Sequence, residues 1–173
     1  MSHEPCPKPS SPSREPSVSR FLGIDLGRRR IGLALSDHSG VLATPWESLE
    51  AGQSISETAA RVVARIEEFC AGEDGELEAV VVGLPRRLSG EDNDETPRAR
   101  AFADALAKRV SVPVHFQDER LTSREAESRL ALRERDWRRR KARIDAAAAA
   151  VILQDFLDAR PASGDSRGNV EEL

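Results

Sequence analysis

The sequence predicts an α/β domain built on a mixed β-sheet, and three features of the 173 residues support that prediction. The first predicted elements are short strand-like segments joined by brief links, a pattern that favours antiparallel hairpins. A continuous apolar stretch, Ala79–Leu84, is typical of a strand covered on both faces. Strands then alternate with segments of helical spacing, the order expected for a sheet flanked by helices.

Residue alternation predicts the first strands. Because successive side chains of a strand point to opposite faces, Phe21, Gly23 and Asp25 are expected to share one face. The opening strands are predicted at Phe21–Leu26, Arg30–Ser36 and Val41–Leu49, and a later strand at Val112–Gln117.

Helices are predicted from apolar spacing and from capping residues. Thr96-Pro97 fits a helix start, with Thr as the cap and Pro at the first helical position. Thr122-Ser123-Arg124-Glu125 fits a capping box. The expected helices are Ile55–Cys70, Thr96 to about Arg109, Thr122 to about Leu132, and Ile144–Asp158.

The composition indicates one domain with two tails. Residues 1–19 are rich in proline and serine and residues 160–173 are similar, so both are expected to be flexible, with the folded domain at 20–159. An apolar fraction of 39% and a charged fraction of 32% suit a soluble protein, and no secretory or membrane segment is recognised. A cytoplasmic location is therefore expected, and no disulfide between Cys6 and Cys70.

Basic residues are concentrated in one part of an acidic chain. The net charge is -4, but residues 120–143 hold ten basic and four acidic side chains. Phosphate binding depends on the local potential, so this segment is a candidate for contact with nucleic acid. A solvated helix face is the alternative interpretation, although Arg138–Lys141 contains no acidic partner.

Two carboxylates lie at positions where the sequence pattern predicts burial. Asp25 ends an apolar strand, where an acid is costly unless it is paired or caps the turn at Gly27. Asp145 has apolar neighbours four, seven and eleven residues later on its helix, which places it on the face that packs against the sheet. Near a helix N-terminus it could also simply interact with the helix dipole.

Glu119 follows a predicted strand and is the third acidic candidate, although for this position alone a polar loop before a capped helix is the favoured interpretation. If Asp25, Glu119 and Asp145 converge, they repel one another and need a cation or a raised pKa. All-oxygen ligands suit Mg²⁺ or Mn²⁺, which can activate water and stabilise the leaving oxygen of a phosphodiester.

Four motifs in order resemble the YqgF/RuvX family, whose members are described as pre-16S rRNA nucleases or Holliday junction resolvase-like proteins. They are spread over about 135 residues. The motifs are GIDLGRRRIGLALSD at 23–37, VVVGLP at 80–85, DERLTSREAE at 118–127 and KARIDAAAAAVILQDFLD at 141–158.

The resemblance implies an RNase H-like fold, with a five-stranded mixed sheet whose first three strands are antiparallel. It also implies an acidic catalytic and metal-binding triad of Asp25, Glu119 and Asp145. Thr122 is interpreted mainly as a cap with a secondary role at the substrate. The residues expected at the nucleic acid are Arg29, Arg120, Thr122, Ser123, Arg138, Arg139, Arg140, Lys141 and Arg143.

One segment departs from the family pattern. After Gly-Leu-Pro, family members often carry an Asn, whereas this chain has Arg86-Arg87-Leu88-Ser89-Gly90. The residues that follow, GEDNDETP at 90–97, are unusually acidic for a loop near nucleic acid.

The predicted function is metal-dependent hydrolysis of phosphodiester bonds, with pre-16S rRNA of the small-subunit precursor preferred as substrate. Holliday junction resolution is the alternative, but paired cuts would need a dimer, and a monomer or weak dimer is expected. A non-catalytic RNA- or DNA-binding factor is a second alternative. An actin- or hexokinase-like ATPase is a third, for which the chain lacks a second domain and a GxxxxGK[S/T] loop.

Overall fold

The computed structural model describes residues 19–73, 75–119 and 137–161, apart from the side chains of Trp137, Arg138 and Arg140. These residues form five strands and three helices. In chain order they are β1 (Arg20–Leu26), β2 (Arg30–Ser36), β3 (Ala43–Glu50), α1 (Ile55–Cys70), β4 (Leu77–Leu84), α2 (Thr96–Ala107), β5 (Val114–Asp118) and α3 (Trp137–Ala159).

The five strands form one mixed sheet in the order β3-β2-β1-β4-β5. The first three strands pair antiparallel, β1 with β2 and β2 with β3. Strands β1, β4 and β5 run parallel, so their carboxyl ends meet at one edge. This topology confirms the predicted RNase H-like sheet.

Helices cover both faces of the sheet, and the alternation of the strands decides which side chains meet them. On one face Leu22 and Ile24 of β1 pack with side chains of α1 and α2, including Val62 and Phe102. On the other face Phe21 packs with side chains of α3. The sequence predicts that Phe21, Gly23 and Asp25 share a face of the sheet. The prediction is confirmed for Phe21 and Gly23, because both lie against α3.

Glycines bring α3 against the sheet. A Cβ atom built on Gly32 would lie 1.9 Å from the carbonyl oxygen of Asp145, and one on Gly23 would lie 2.9 Å from that of Ala149. Since no side chain fits into either gap, the backbone of α3 rests directly on β1 and β2. The alanines at 146–150, predicted to allow such an approach, form part of this contact.

One predicted helix cap and several predicted element boundaries differ from the structure. Strand β4 starts at Leu77 rather than Ala79, and strand β5 starts at Val114 rather than Val112. Thr96 does not cap α2: its buried hydroxyl donates to the carbonyl of Pro85, while the side chain of Asn93 accepts the backbone N–H groups of Glu95 and Thr96. Helix α3 begins at Trp137 rather than Ile144. Strand β3 starts two residues later than predicted, at Ala43, because Val41 and Leu42 belong to a turn closed on Asp37.

Helix α1 matches its prediction and is capped by Ser54, whose side chain accepts the N–H of Glu57 at 3.1 Å. The predicted capping box at 122–125 and its helix to Leu132 lie outside the described residues. Most of the two expected tails also lies outside them. Among the helices described, none has the length and apolar character needed to cross a membrane.

Candidate active site

Asp25 lies near the carboxyl end of β1, opposite Gly32 of β2, which in turn pairs with Ser48 of β3. Its side chain points to the α3 face, where little solvent reaches it. Burial, followed by the negative charge of Asp145, raises the pKa of Asp25 from 3.8 to about 6. The ionised form of Asp25 is therefore held in the protein at an energetic cost, and carboxylates with raised pKa values are concentrated at functional sites.

Asp145 lies in the third turn of α3, directly over β2. Because its carbonyl rests on Gly32, its side chain is carried next to the carboxyl end of β1. Burial raises the pKa of Asp145, while the positive charges of Arg30 and Lys141 and the nearby Ser48 hydroxyl act in the opposite direction.

The helix start at Trp137 changes the interpretation of Asp145. Eight residues precede it in α3, so it is too far from the N-terminus for the helix dipole to be its role. The Ser48 hydroxyl lies nearby but forms no hydrogen bond of normal geometry, and Asp145 Oδ2 is also buried without a hydrogen-bond partner. A buried carboxylate oxygen left in this state costs free energy unless another group binds it.

Glu119 directly follows β5, and its backbone N–H donates to the carbonyl of Leu84 at 3.3 Å. Its Oε2 lies 3.1 Å from the position that a Cβ on Gly83 would take, so the missing side chain of Gly83 makes room for the carboxyl group. Burial, then the charges of Asp25 and Asp118, raise the pKa of Glu119 from 4.5 to about 8.

The structure places Asp25 between the other two acids. Its carboxylate interacts electrostatically with Asp145 on one side and with Glu119 on the other. The three are not gathered around a single point: in residues 19–73, 75–119 and 137–161, no three Asp, Glu, His or Cys side chains are grouped closely enough to hold one metal ion together. The arrangement is two neighbouring pairs that share Asp25.

Basic residues precede Asp145 on α3. Arg139, Lys141 and Arg143 are exposed in its first two turns, and Lys141 acts on the Asp145 carboxyl. Arg29 is exposed in the turn after β1. The structure describes only the backbone of Arg138 and Arg140, and Arg120, Thr122 and Ser123 lie outside the described residues.

Sequence reasoning missed two residues of the site, Arg30 and Ser48. Arg30 lies two residues before Gly32 on the same strand and therefore on the Asp25 face, so the alternation of β2 contained the signal. Ser48 could not be found this way, because its place opposite Gly32 depends on the register of β3.

Polar contacts fix the loops around this edge of the sheet. Arg98 donates to the carbonyl of Gly27 at 3.0 Å, and Arg28 forms an ion pair with Glu95, so the turn after β1 is tied to the start of α2. These contacts hold the end of β1, and with it Asp25, in a fixed position.

A sheet of RNase H-like topology, with the partly buried Asp25 and Glu119 at the joined carboxyl ends of its strands and Asp145 beside them on α3, defines an RNase H-like domain. The family model RuvX, described as a Holliday junction resolvase, matches residues 19–159. The chain belongs to this family.

Curated relatives cover nearly the whole chain. A protein of Nocardioides sp. named "Putative pre-16S rRNA nuclease" is 43% identical over 152 residues, 87% of this chain and 95% of that protein. Proteins with the same name from Anaeromyxobacter sp. and Mycobacterium tuberculosis are 43% and 40% identical over 83% and 93% of this chain, and 99% and 91% of their own lengths. Among solved structures, T. thermophilus RuvC in complex with a Holliday junction substrate aligns at 20% identity and a TM-score of 0.46, over 81% of this chain and 94% of that one.

Proposed function

We propose that this chain is a Mg²⁺-dependent nuclease that hydrolyses phosphodiester bonds during 5′-end maturation of pre-16S rRNA. The observation that supports the proposal most strongly is the buried Asp25 carboxylate between Glu119 and Asp145, with a raised pKa at all three. Such a cluster is unfavourable for folding, so a role in chemistry is the natural explanation of its presence.

The acids suit a hard divalent cation. Their ligand atoms are all oxygens, the preference of Mg²⁺ and Mn²⁺, and Asp145 Oδ2 is a buried oxygen that lacks a hydrogen-bond donor. Because the acids form two pairs, Asp25 with Asp145 and Asp25 with Glu119 would hold such ions, with Asp25 common to both. Divalent cations at such sites activate a water molecule and stabilise the leaving oxygen of a phosphodiester.

The protein's own groups have separate tasks in this proposal. Glu119, whose pKa is raised to about 8 without a cation, must lose its proton to bind one, so it would make metal binding depend on pH. Arg30 and Lys141 favour the charged form of Asp145. The exposed basic residues at the start of α3 bind phosphates on either side of the reacting one.

The names of the relatives favour pre-rRNA as the substrate, and the family description favours a branched DNA junction. We choose the RNA because paired cuts in a junction require two active sites, hence a dimer. In this proposal the chain acts as a monomer or weak dimer on the small-subunit precursor in the cytoplasm.

A purely binding protein would not explain the site. Negative charge buried beside bound phosphates weakens binding, since like charges about 4 Å apart repel by roughly 4 kcal/mol at an effective dielectric of ~20. Three acids at one edge of the sheet are therefore a disadvantage to a binding module and an advantage to a nuclease.

The test compares two substrates in Mg²⁺: an RNA spanning the 5′ end of 16S rRNA with its precursor sequence, and a four-way DNA junction. We expect wild-type protein to cut the RNA, and the Asp145→Asn variant to bind it without cutting. Asp158→Asn, an exposed acid on the same helix, is the matched control and should cut as wild type does. Cleavage of the junction alone would overturn the RNA assignment, and equal cleavage by Asp145→Asn would overturn the active site.

A further inference from the structure

The loop between β4 and α2, residues 85–95, displays an uncovered leucine. Leu88 exposes 75% of its surface, more than Val41, Leu42 or Phe116, the other large apolar side chains found at the surface of the described residues. Single exposed apolar residues are common and need no explanation by themselves. Leu88 differs because hydrogen bonds of a tight turn hold it outward and because it lies beside the candidate active site.

A tight turn holds Leu88 outward. The Gly90 N–H donates to the Arg87 carbonyl at 2.8 Å, and Gly90 has the positive φ of 87° that such a turn needs. The Arg87 N–H donates to the Glu91 carbonyl at 2.8 Å, and Arg86 pairs with Asp92 as a short antiparallel bridge. Leu88 is thus fixed at the tip of a small two-stranded projection.

This projection rises beside the candidate active site. It leaves the carboxyl end of β4 at Leu84, whose carbonyl accepts the N–H of Glu119. At its base Arg86 lies 3.9 Å from the carboxylate of Asp118, and Pro85 accepts the Thr96 hydroxyl. The base of the projection is therefore tied to Asp118, next to Glu119, and to the start of α2.

Of the four acidic residues of the loop, Glu91 and Asp94 are exposed and the other two are paired with arginines. Asp92 lies between Arg100 and Arg86, at 3.3 Å and 3.8 Å, and Glu95 forms an ion pair with Arg28. The exposed Arg87 lies next to Leu88 at the tip. An apolar residue beside an arginine on a fixed projection is the combination that inserts between bases while the charge contacts the backbone.

We propose that Leu88 is a wedge that unstacks the nucleotide next to the scissile phosphate and directs cleavage to boundaries between paired and single-stranded RNA. This inference rests on the proposed nuclease function. Opening a stack is cheapest where the base is unpaired on one side. Inside a duplex the opening costs more, and in single-stranded RNA there is little stacking for the wedge to break.

The test uses an RNA hairpin with a 5′ single-stranded extension and 2-aminopurine as the last paired base. The fluorescence of this base rises when it unstacks, and EDTA prevents cleavage during the measurement. We expect saturating wild-type protein to raise the fluorescence severalfold, and Leu88→Ser to leave it near the value of free RNA while still binding. Leu88→Phe should behave as wild type, because it keeps an apolar wedge.

Leu42→Ser is the matched control, since Leu42 is also an exposed leucine but lies in the turn between β2 and β3, at the opposite end of the sheet. It should raise the fluorescence as wild type does. In Mg²⁺, Leu88→Ser should slow cleavage at the boundary by about tenfold and leave a fully single-stranded RNA unaffected.

Two outcomes are distinguishable. If wild type cuts the RNA and Leu88→Ser gives the same fluorescence and the same boundary preference, the wedge is wrong and the nuclease function stands. If wild type neither binds nor cuts any RNA, the proposed function fails and the wedge fails with it.

Discussion

The Asp25→Asn variant is expected to be more stable than the wild-type protein in the absence of metal. The substitution keeps the size of the side chain and removes a charge that burial and Asp145 both disfavour. In the folded protein the pKa of Asp25 is raised from 3.8 to about 6, so the folded state holds this proton more tightly than the unfolded state does. Raising the pH through that window therefore destabilises the wild-type fold.

The size of the effect follows from the pKa. A change of one in pKa corresponds to about 1.4 kcal/mol, so ionised Asp25 costs the fold on the order of 3 kcal/mol once the pH exceeds about 6. Well below the unfolded pKa of 3.8 the carboxyl group is protonated in both states and the cost disappears. Since the amide of Asn also needs partners when buried, about 3 kcal/mol is the upper limit of the gain.

Urea unfolding in EDTA at pH 4 to 8 measures this difference directly. The gain of Asp25→Asn over wild type should grow from near zero at pH 4 to its full value above pH 6. Asp37→Asn is the control of opposite sign, because the Ser39 hydroxyl and the backbone N–H groups of Leu42 and Val41 lower the pKa of Asp37 to about 2. That variant should be less stable than wild type at neutral pH. A pH-independent difference for Asp25→Asn would refute the reasoning.

Three further predictions concern packing, metal binding and substrate binding. Gly32→Ala places a methyl group against the Asp145 carbonyl and should lower the free energy of unfolding by about 1–3 kcal/mol and reduce cleavage, as thermal denaturation and a cleavage assay would show. Affinity for Mg²⁺, measured by calorimetry, should rise from pH 6 to 8 as Glu119 loses its proton, and Glu119→Gln should flatten that rise. Neutralising Arg139, Lys141 and Arg143 of α3 should lower the slope of log binding constant against log salt concentration for RNA by about two to three. An unchanged slope would show that these side chains are only solvated.

Local patterns in the sequence were sufficient to predict most of the sheet. The alternation in β1 and β2 predicts which side chains meet α3, and the apolar β4 predicts a strand covered on both faces. The start of α3 could not be predicted in the same way. Residues 137–143 are largely basic, so they lack the apolar spacing that marks a packed helix, although arginine, lysine and alanine favour helix.

The candidate site was predictable to different extents for its three acids. The helical spacing after Asp145 predicts an inward side chain, and in the structure its Oδ2 is buried and its backbone carbonyl rests on β2. The position of Glu119 beside Asp25 depends on the parallel pairing of β5 with β4, which no local pattern contains. The loop at 85–95 shows the same limit, since the exposure of Leu88 follows from hydrogen bonds that the sequence does not reveal.

The rate at which the protein cuts RNA in Mg²⁺ under single-turnover conditions tests the central claim most directly. Wild type and the exposed-acid control Asp158→Asn should cut at the same rate. Asp25→Asn should be slower by more than about a hundredfold while remaining folded and able to bind RNA. Loss of a residue that only supports a metal ligand already costs ~10–100-fold, and loss of a ligand should cost more. Cleavage by Asp25→Asn at the wild-type rate, in protein free of other nucleases, would contradict the assignment of these carboxylates as the active site.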